Sequence, residues 1–369
     1  MFIRTARYTT TIIILLSIVL LGAANQAEKI QVWPEHTNVY GSPDGYYYIA
    51  SVNSLKGYSQ AAMPILTHKL NWTTKIFASP KGNYWASGKF DDEITVDYDL
   101  TQVDVYTPSG TKLYTLKNPD ALKFVLNDRS PAMVGVNGVE GLPEAGLTFY
   151  DDKGQELTTY KLTQYTGAAF SANADYFLAH SADSGLYVFT PRGELEYRFL
   201  ISPYYGVSEN GLTVVSIDGS RMNSHFRDSR AGSVPTSIVA PKAVRITPDS
   251  KHVIVMDKQK VYCFNLTDLS PVWEYALEKS NESFSTISIS PDSHYIALGI
   301  MIDSGPGYSI YDRYNTGRVE VLDSAGQKIA WGDLEYSSWS AGYPKVEFSS
   351  DNKKVWILSH FELFQLDIE

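Results

Sequence analysis

From about residue 30 to the C-terminus, short runs of alternating apolar and polar residues are separated by clusters of Ser, Pro, Asp, Asn and Gly. A period of two puts every second side chain on one face, so each run predicts a half-buried β-strand. The clearest unit is a turn between two such strands. Val39-Tyr40-Gly41-Ser42-Pro43-Asp44-Gly45 leads into Tyr46 to Ala50, and Val244-Arg245-Ile246-Thr247-Pro248-Asp249-Ser250 leads into Val253 to Val255. Ile287-Ser288-Ile289-Ser290-Pro291-Asp292-Ser293 leads into Tyr295 to Ala297 in the same way. Pro presets φ, Asp accepts from nearby backbone N–H groups, and Gly tolerates positive φ. Weaker copies begin at Ser79, Asn127, Ser171, Ser208 and Ser349, so the motif recurs at steps of 37 to 59 residues. Long helices are hardly visible; Asp120 to Lys123 is the one place expected to make a helical turn.

A second module follows the first in most repeats: a strand, a turn ending in Gly, and another strand. Val103 to Tyr114 around Gly110, Gly146 to Leu157 around Gly154, Leu186 to Tyr197 around Gly193 and Val319 to Trp331 around Gly326 are its copies. Two modules make four strands, and a repeat of about forty residues is expected of a four-stranded propeller blade. The Ser-Pro-Asp-Gly turns resemble those of WD40-like propeller repeats, although no Gly-His…Trp-Asp pair occurs. The run Asp323 to Trp331 resembles the pyrroloquinoline-quinone-type repeat. These resemblances imply a fold and no activity. The expectation is therefore an all-β chain forming a single β-propeller of eight four-stranded blades, or seven if the copy at Asn127 or Ser208 is not a blade. The last repeat offers only three strands (Val346 to Phe348, Val355 to Leu358, Leu363 to Ile368), while Lys29 to Trp33 is a spare strand. Pairing the two ends closes the ring and removes both sheet edges.

Composition adds location. Arg4 and Arg7 precede an apolar stretch, Ile12 to Leu21, broken only by Ser17 and followed by Gly22-Ala23-Ala24. This pattern predicts a signal peptide over residues 1–24, or to 27 with Asn25-Gln26-Ala27 as the cleavage site, ahead of a propeller domain over 29–369. An uncleaved anchor is the alternative, though the apolar run is short for a bilayer. A periplasmic or secreted protein is expected. Cys263 is the sole cysteine, so neither an intrachain disulfide nor a cysteine-based metal knuckle is possible, and the lipid-attachment cysteine of a lipoprotein is missing. A net charge of −10 argues against general nucleic-acid binding, which needs a basic footprint.

Because strands alternate in direction, the Pro-Asp-Gly turns crowd one end of the ring. The second turns and the blade connections share the other, where loops on a rigid scaffold usually bind. Four segments are assigned to that second face. Asp91, Asp92, Glu93, Asp97 and Asp99 gather carboxylates that suit a hard cation, with a solvated acidic loop as the plainer reading. Arg221, His225 and Arg227 suit carboxylate or phosphate groups, or are simply exposed along a strand. Tyr308, Tyr311, Asp312, Arg313 and Tyr314 lie in the longest insertion and suit sugar stacking or protein recognition. Trp339 and Tyr343 either join them or pack between blades. No Gly-x-Ser-x-Gly elbow and no H-E-x-x-H pair occurs. The leading expectation is a non-catalytic exported propeller, without cofactor, that binds a protein partner or an envelope polysaccharide. The alternatives are a lyase or glycosidase acting on a carbohydrate-like substrate, and a cation- or cofactor-binding propeller.

Overall fold

The computed structural model describes residues 27–368 apart from 33–37, 43–44, 52–53, 60–62, 71–73, 91–99, 139–143, 184, 202–203, 228, 239–240, 304–315, 337–343 and 359–361. Its strands form eight antiparallel four-stranded sheets. Blades 1 to 7 each use four consecutive strands, over 38–69, 74–117, 123–163, 165–199, 205–235, 243–276 and 282–335. Blade 8 takes three strands from 345–367 and a fourth, Glu28–Val32, from the other end of the chain. That N-terminal strand pairs antiparallel with Glu362–Asp367, from Glu28 opposite Gln365 to Val32 opposite Glu362. Eight blades is thus the answer: the weak copies at Asn127 and Ser208 each head a complete blade. Among the described residues there is no helix, and none long and apolar enough to cross a membrane. Asp120 to Lys123 makes a bend and enters a strand instead of a helical turn, because the connection must deliver Lys123 directly into the next sheet.

The first strands of successive blades approach one another and ring the central channel, whereas the fourth strands alternate exposed and half-buried residues on the outside. Apolar side chains fill the spaces between blades. Phe149 of blade 3 packs edge-on against Phe177 and tilted against Phe189 of blade 4. Tyr47 and Tyr58 of blade 1 stack at 5.2 Å and pack with Trp356 and Leu363 of blade 8, so a shared core seals the closure.

The first-module turn owes its geometry to one buried hydroxyl. Ser290 Oγ accepts from Tyr295 N at 2.9 Å and donates to Asp292 Oδ1 at 2.6 Å, which in turn accepts from His294 N at 3.1 Å. Thr247 with Asp249, and Ser349 with Asp351, repeat this arrangement. Ser208 does so with Asn210 in place of Asp. The next residue takes the left-handed conformation, at Ser250, Ser293 and Asn352 as well as at Gly211. Side-chain capping therefore offsets the missing glycine in three blades. In the second module Gly326 has φ +78°, and a Cβ there would meet the Trp273 ring of blade 6 at 2.6 Å.

Two measurements check this account. Deleting Glu28–Val32 exposes the edge of Glu362–Asp367; it should cost on the order of 3 kcal/mol, a few backbone hydrogen bonds at about 1 kcal/mol each, and produce oligomers in size-exclusion chromatography. An unchanged melting temperature and a clean monomer would contradict it. The second concerns pH. Burial opposes ionisation of Asp249 and Asp292, but the Thr247 and Ser290 hydroxyls and the neighbouring N–H groups hold both carboxyls below their ordinary value. A carboxyl held low stabilises the fold above the unfolded-state value of about 3.9 and loses that contribution as pH falls through the lower folded value. Asp249→Asn with Asp292→Asn should therefore flatten the loss of thermal stability between about pH 5 and about pH 3. At neutral pH it should cost under about 1 kcal/mol per site, since asparagine already serves at Asn210.

Candidate functional site

The two ends of the ring differ in what their side chains are free to do. At the turn end the turns are hooked to one another. Tyr46 N donates to Lys81 O at 2.9 Å, Lys81 N to Asp128 Oδ1 at 2.9 Å, and Asn127 Nδ2 to Ala174 O at 3.0 Å. Arg129 pairs with Asp175, Asp249 N donates to Ser293 Oγ at 3.0 Å, and Ser42 Oγ donates to Glu347 Oε1 at 2.6 Å across the closure. The other end, the loop face, is built from the second turns and the connections between blades.

Each innermost strand begins at the loop face, and several begin with a cation or a tyrosine. Lys75 of blade 2 donates from Nζ to Leu122 O at 3.1 Å in the connection to blade 3. Lys123, first in its strand, holds Nζ 4.9 Å from the ring centroid of Tyr165, first in the inner strand of blade 4. Tyr205 opens the inner strand of blade 5; burial and then Tyr165 push its hydroxyl pKa up to about 12, against the pull of Arg245. Arg245 lies one blade further on, where Gly206 lets the two backbones close up. Lys242 precedes that strand and donates to Phe284 O of blade 7 at 2.6 Å.

Lys75, Lys242 and Arg245 are accessible to water yet surrounded by protein, as side chains bordering a channel are. Burial, and then the neighbouring Lys123, lower Lys75 from its ordinary value; burial and then Lys258 do the same to Lys242, with Asp257 pulling the other way. Among the described residues none of Lys75, Lys242, Arg245 and Lys258 is ion-paired with a carboxylate. Asp257 is occupied by Gln259 N, Lys260 N and the Tyr262 hydroxyl. Like charges held close together cost stability, and Lys75 with Lys123, and Lys242 with Lys258, are two such pairs. At the second pair, Ser237, Ile238, Asp257, Lys258 and Tyr262 line an open notch of about 450 Å³. Leu200, in the connection from blade 4 to blade 5, is 75% exposed, the most of any large apolar residue described.

The residues singled out in the sequence fall differently. Asp91, Asp92, Glu93, Asp97 and Asp99 lie outside the described residues, as do Tyr308, Tyr311, Asp312, Arg313, Tyr314, Trp339 and Tyr343. Arg221, His225 and Arg227 are not brought together on one face. Arg221 opens the third strand of blade 5 at the loop face, exposed, with Nε donating to Ser233 Oγ at 2.9 Å. His225 is buried in that strand, Nε2 3.4 Å from Ser216 Oγ and its ring edge-on to Phe199. Arg227 emerges at the turn end over the Phe226 ring. Six residues of strand place it about 20 Å from Arg221. The expectation that this whole segment faces one way is corrected: a strand crosses from one end of a blade to the other.

The insertion between Asp303 and Thr316 springs from a clamped base. Ile302 pairs with Thr316, and just below them Arg318 donates to Glu282 Oε2 at 2.7 Å while its Nε lies 3.0 Å from Glu320 Oε1. Tyr275 of blade 6 donates to Glu320 Oε2 at 2.6 Å, and Lys328 reaches Oε1 at 3.3 Å. Both glutamates are 1% exposed.

No family model matches this sequence, and no curated protein does. Solved structures do. The C-terminal WD40 domain of Sif2 aligns with a TM-score of 0.64 at 12% identity, over 94% of this chain and 100% of that one. The computationally designed Ika8 protein aligns at 0.58 and 13%, over 94% and 98%. The Dos1 propeller gives 0.56 and 13%, over 92% and 95%. At such identities the likeness is one of fold: the protein is a WD40-like β-propeller in architecture, as its Ser-Pro-Asp-Gly turns imply. These structures do not bear on the pyrroloquinoline-quinone-type likeness of Asp323 to Trp331.

The clamp yields a prediction. Arg318→Ala leaves Glu282 and Glu320 without their shared cation and should cost about 3–5 kcal/mol in chemical denaturation. A loss below about 1 kcal/mol would show that the cluster is not a buried ionic unit.

Proposed function

We propose that this protein is an exported, non-catalytic binding propeller that engages a protein partner through its loop face. The observation that carries the reading is the asymmetry between the two ends. Turn-end side chains are committed to bridging blades, whereas the loop face offers Leu200 and Tyr204 as exposed apolar surface, with Lys75, Lys242, Arg245 and Lys258 paired with no carboxylate among the described residues. Apolar anchors flanked by charge are what protein interfaces use. An envelope polysaccharide is the other ligand the sequence leaves open, and a bare leucine favours a protein over a sugar polymer. Export rests on the leader pattern of residues 1–24, and fold likeness by itself says nothing of the partner.

The full chain, immobilised, would be exposed to an envelope extract alongside two variants. Arg221→Glu with Lys258→Glu reverses charge at the loop face, and Lys251→Glu with His294→Glu does so at the turn end. A protein retained by the wild type and the turn-end variant but lost from the loop-face variant is the expected result. Absence of any retained protein, or loss from the turn-end variant alone, would overturn the proposal.

A further inference from the structure

The clefts between blades are filled by a side chain that recurs in one register. The outer strand of each of blades 1 to 7 carries a β-bulge near the turn end. In blades 1, 3, 4 and 6 the third residue beyond it is a ring that packs on the following blade. His68 meets Tyr106 at 5.5 Å, Tyr160 meets Phe189 at 5.0 Å, Phe199 meets His225 at 6.0 Å and Tyr275 meets Phe284 at 6.5 Å. In blade 2 that place is taken by Leu116, and an open cavity of about 520 Å³ lies between the outer strands of blades 2 and 3. Blades 5 and 7 carry Val234 and Gly332 there, and the cleft after blade 5 holds the notch at Tyr262.

The charges of the clefts repeat as well. In blades 2 and 7 the third strand carries a buried carboxylate, Asp104 or Glu320, and the first residue of the outer strand answers it with a lysine. Lys112 Nζ lies 2.9 Å from Asp104 Oδ1, and Lys328 Nζ lies 3.3 Å from Glu320 Oε1. Blade 3 departs at both places: Thr148 stands in the register of the carboxylate and Glu156 in that of the lysine. Glu156 lines the cavity with Asp120, and among the described residues neither has an ion-pair partner. Asp120 accepts from Asn137 Nδ2. Lys117, also in the lining, is exposed and pairs with neither. The segments of these two blades outside the described residues, 91–99 and 139–143, contain no lysine or arginine. Tyr150, 6% exposed, lines the cavity beside Thr148. Burial, then Glu156 and Asp120, push its pKa up to about 12. Its hydroxyl proton has no acceptor among the described residues, and an unsatisfied donor facing a cavity invites a ligand.

We propose that the cleft between blades 2 and 3 binds a guanidinium group, held by the carboxylates of Glu156 and Asp120 and seated on Leu116, where other blades place a ring. A guanidinium is planar, weakly hydrated and always charged, so one group supplies both the missing ring and the missing cation. It meets a carboxylate through two parallel N–H donors, which an ammonium does not. The chain uses the same pairing in its own interior, where Arg318 lies between Glu282 and Glu320. The Tyr150 hydroxyl is then available to donate to a carbonyl oxygen on the body of the ligand. The cavity has the volume of a small-molecule pocket. The group arrives either on a free compound or on an arginine of a partner protein, and the site stands independently of the loop-face reading above.

The test titrates the full chain in a calorimeter with three probes. They are N-acetyl-arginine methyl ester, the matching citrulline ester, which keeps the flat shape without the charge, and a glycine–serine peptide bearing one arginine. The arginine ester should bind saturably, weaken with added salt and exceed the citrulline ester about tenfold or more in affinity. Asp120→Asn with Glu156→Gln should abolish that margin. Leu116→Tyr, which supplies the ring found in other blades, should melt cooperatively and lose binding. Glu209→Gln with Asp218→Asn, exposed on blade 5, should bind as the wild type does. If Leu116→Tyr loses its cooperative melt, the carboxylate variant carries the test, since both its positions are exposed. A peptide that binds at least as tightly as the ester assigns the group to a protein partner; binding of the ester alone assigns it to a free compound. Failure of the wild type to bind any arginine probe, equal binding of the citrulline ester, or undiminished binding by the carboxylate variant or by a folded Leu116→Tyr would each overturn the inference.

Discussion

A buried hydroxyl recurs at the end of six of the eight inner strands, and most of the ring's geometry follows from it. Ser79, Ser171, Ser208, Thr247, Ser290 and Ser349 are buried, and each accepts the backbone N–H five residues on. Without that acceptor the turn would leave a buried donor unsatisfied, which costs more than an ordinary hydrogen bond contributes. By fixing the turn, the hydroxyl also fixes the residues that reach the next blade. Lys81 N meets Asp128, Asn127 meets Ala174 O, and Asp249 N meets Ser293 only because each turn presents the same profile. One end of the ring is thereby used up in holding itself together.

The consequence is a division of labour between ends. Side chains at the turn end have structural partners, and their mutation should register first as a change in stability. The loop end carries connections of uneven length, and among the described residues Lys75, Lys242, Arg245 and Lys258 there have no carboxylate partner. The Glu282–Arg318–Glu320 cluster belongs to neither class: it is interior, yet it sits at the root of the longest insertion and holds two strand ends level. A buried ionic group of this kind is weak evidence for stability in itself; its place at a loop root is what gives it meaning.

Much of this was legible in the sequence, and the reasons differ from residue to residue. The Thr247-Pro-Asp249 and Ser290-Pro-Asp292 turns announce themselves because their chemistry is local: hydroxyl, carboxylate and backbone lie within five residues. The spare strand at Lys29 was visible by counting, since the last repeat was one strand short. The approach of Lys75 to Lys123, and of Lys242 to Lys258, was not visible, because these residues meet only once the blades are drawn into a ring. A signal existed all the same. A cation stands where an inner strand begins in Lys75-Ile76-Phe77, Lys123-Phe124-Val125 and Lys345-Val346-Glu347, and aligning the repeats on their strands rather than their turns would have lined these up. The segment Arg221 to Arg227 shows the opposite limit: residues close in sequence need not share a face, and a strand separates these two.

Closing the ring with Glu28–Val32 against Glu362–Asp367 has a bearing on how the molecule comes into being. In chain order the first of these strands precedes its partner by the length of seven blades, which can collect while the first strand still has no mate. Contacts spanning nearly the whole chain form slowly, and an unmated strand edge is a hazard in the interval. Whatever accompanies this chain during synthesis has that short stretch to shield until its partner strand arrives.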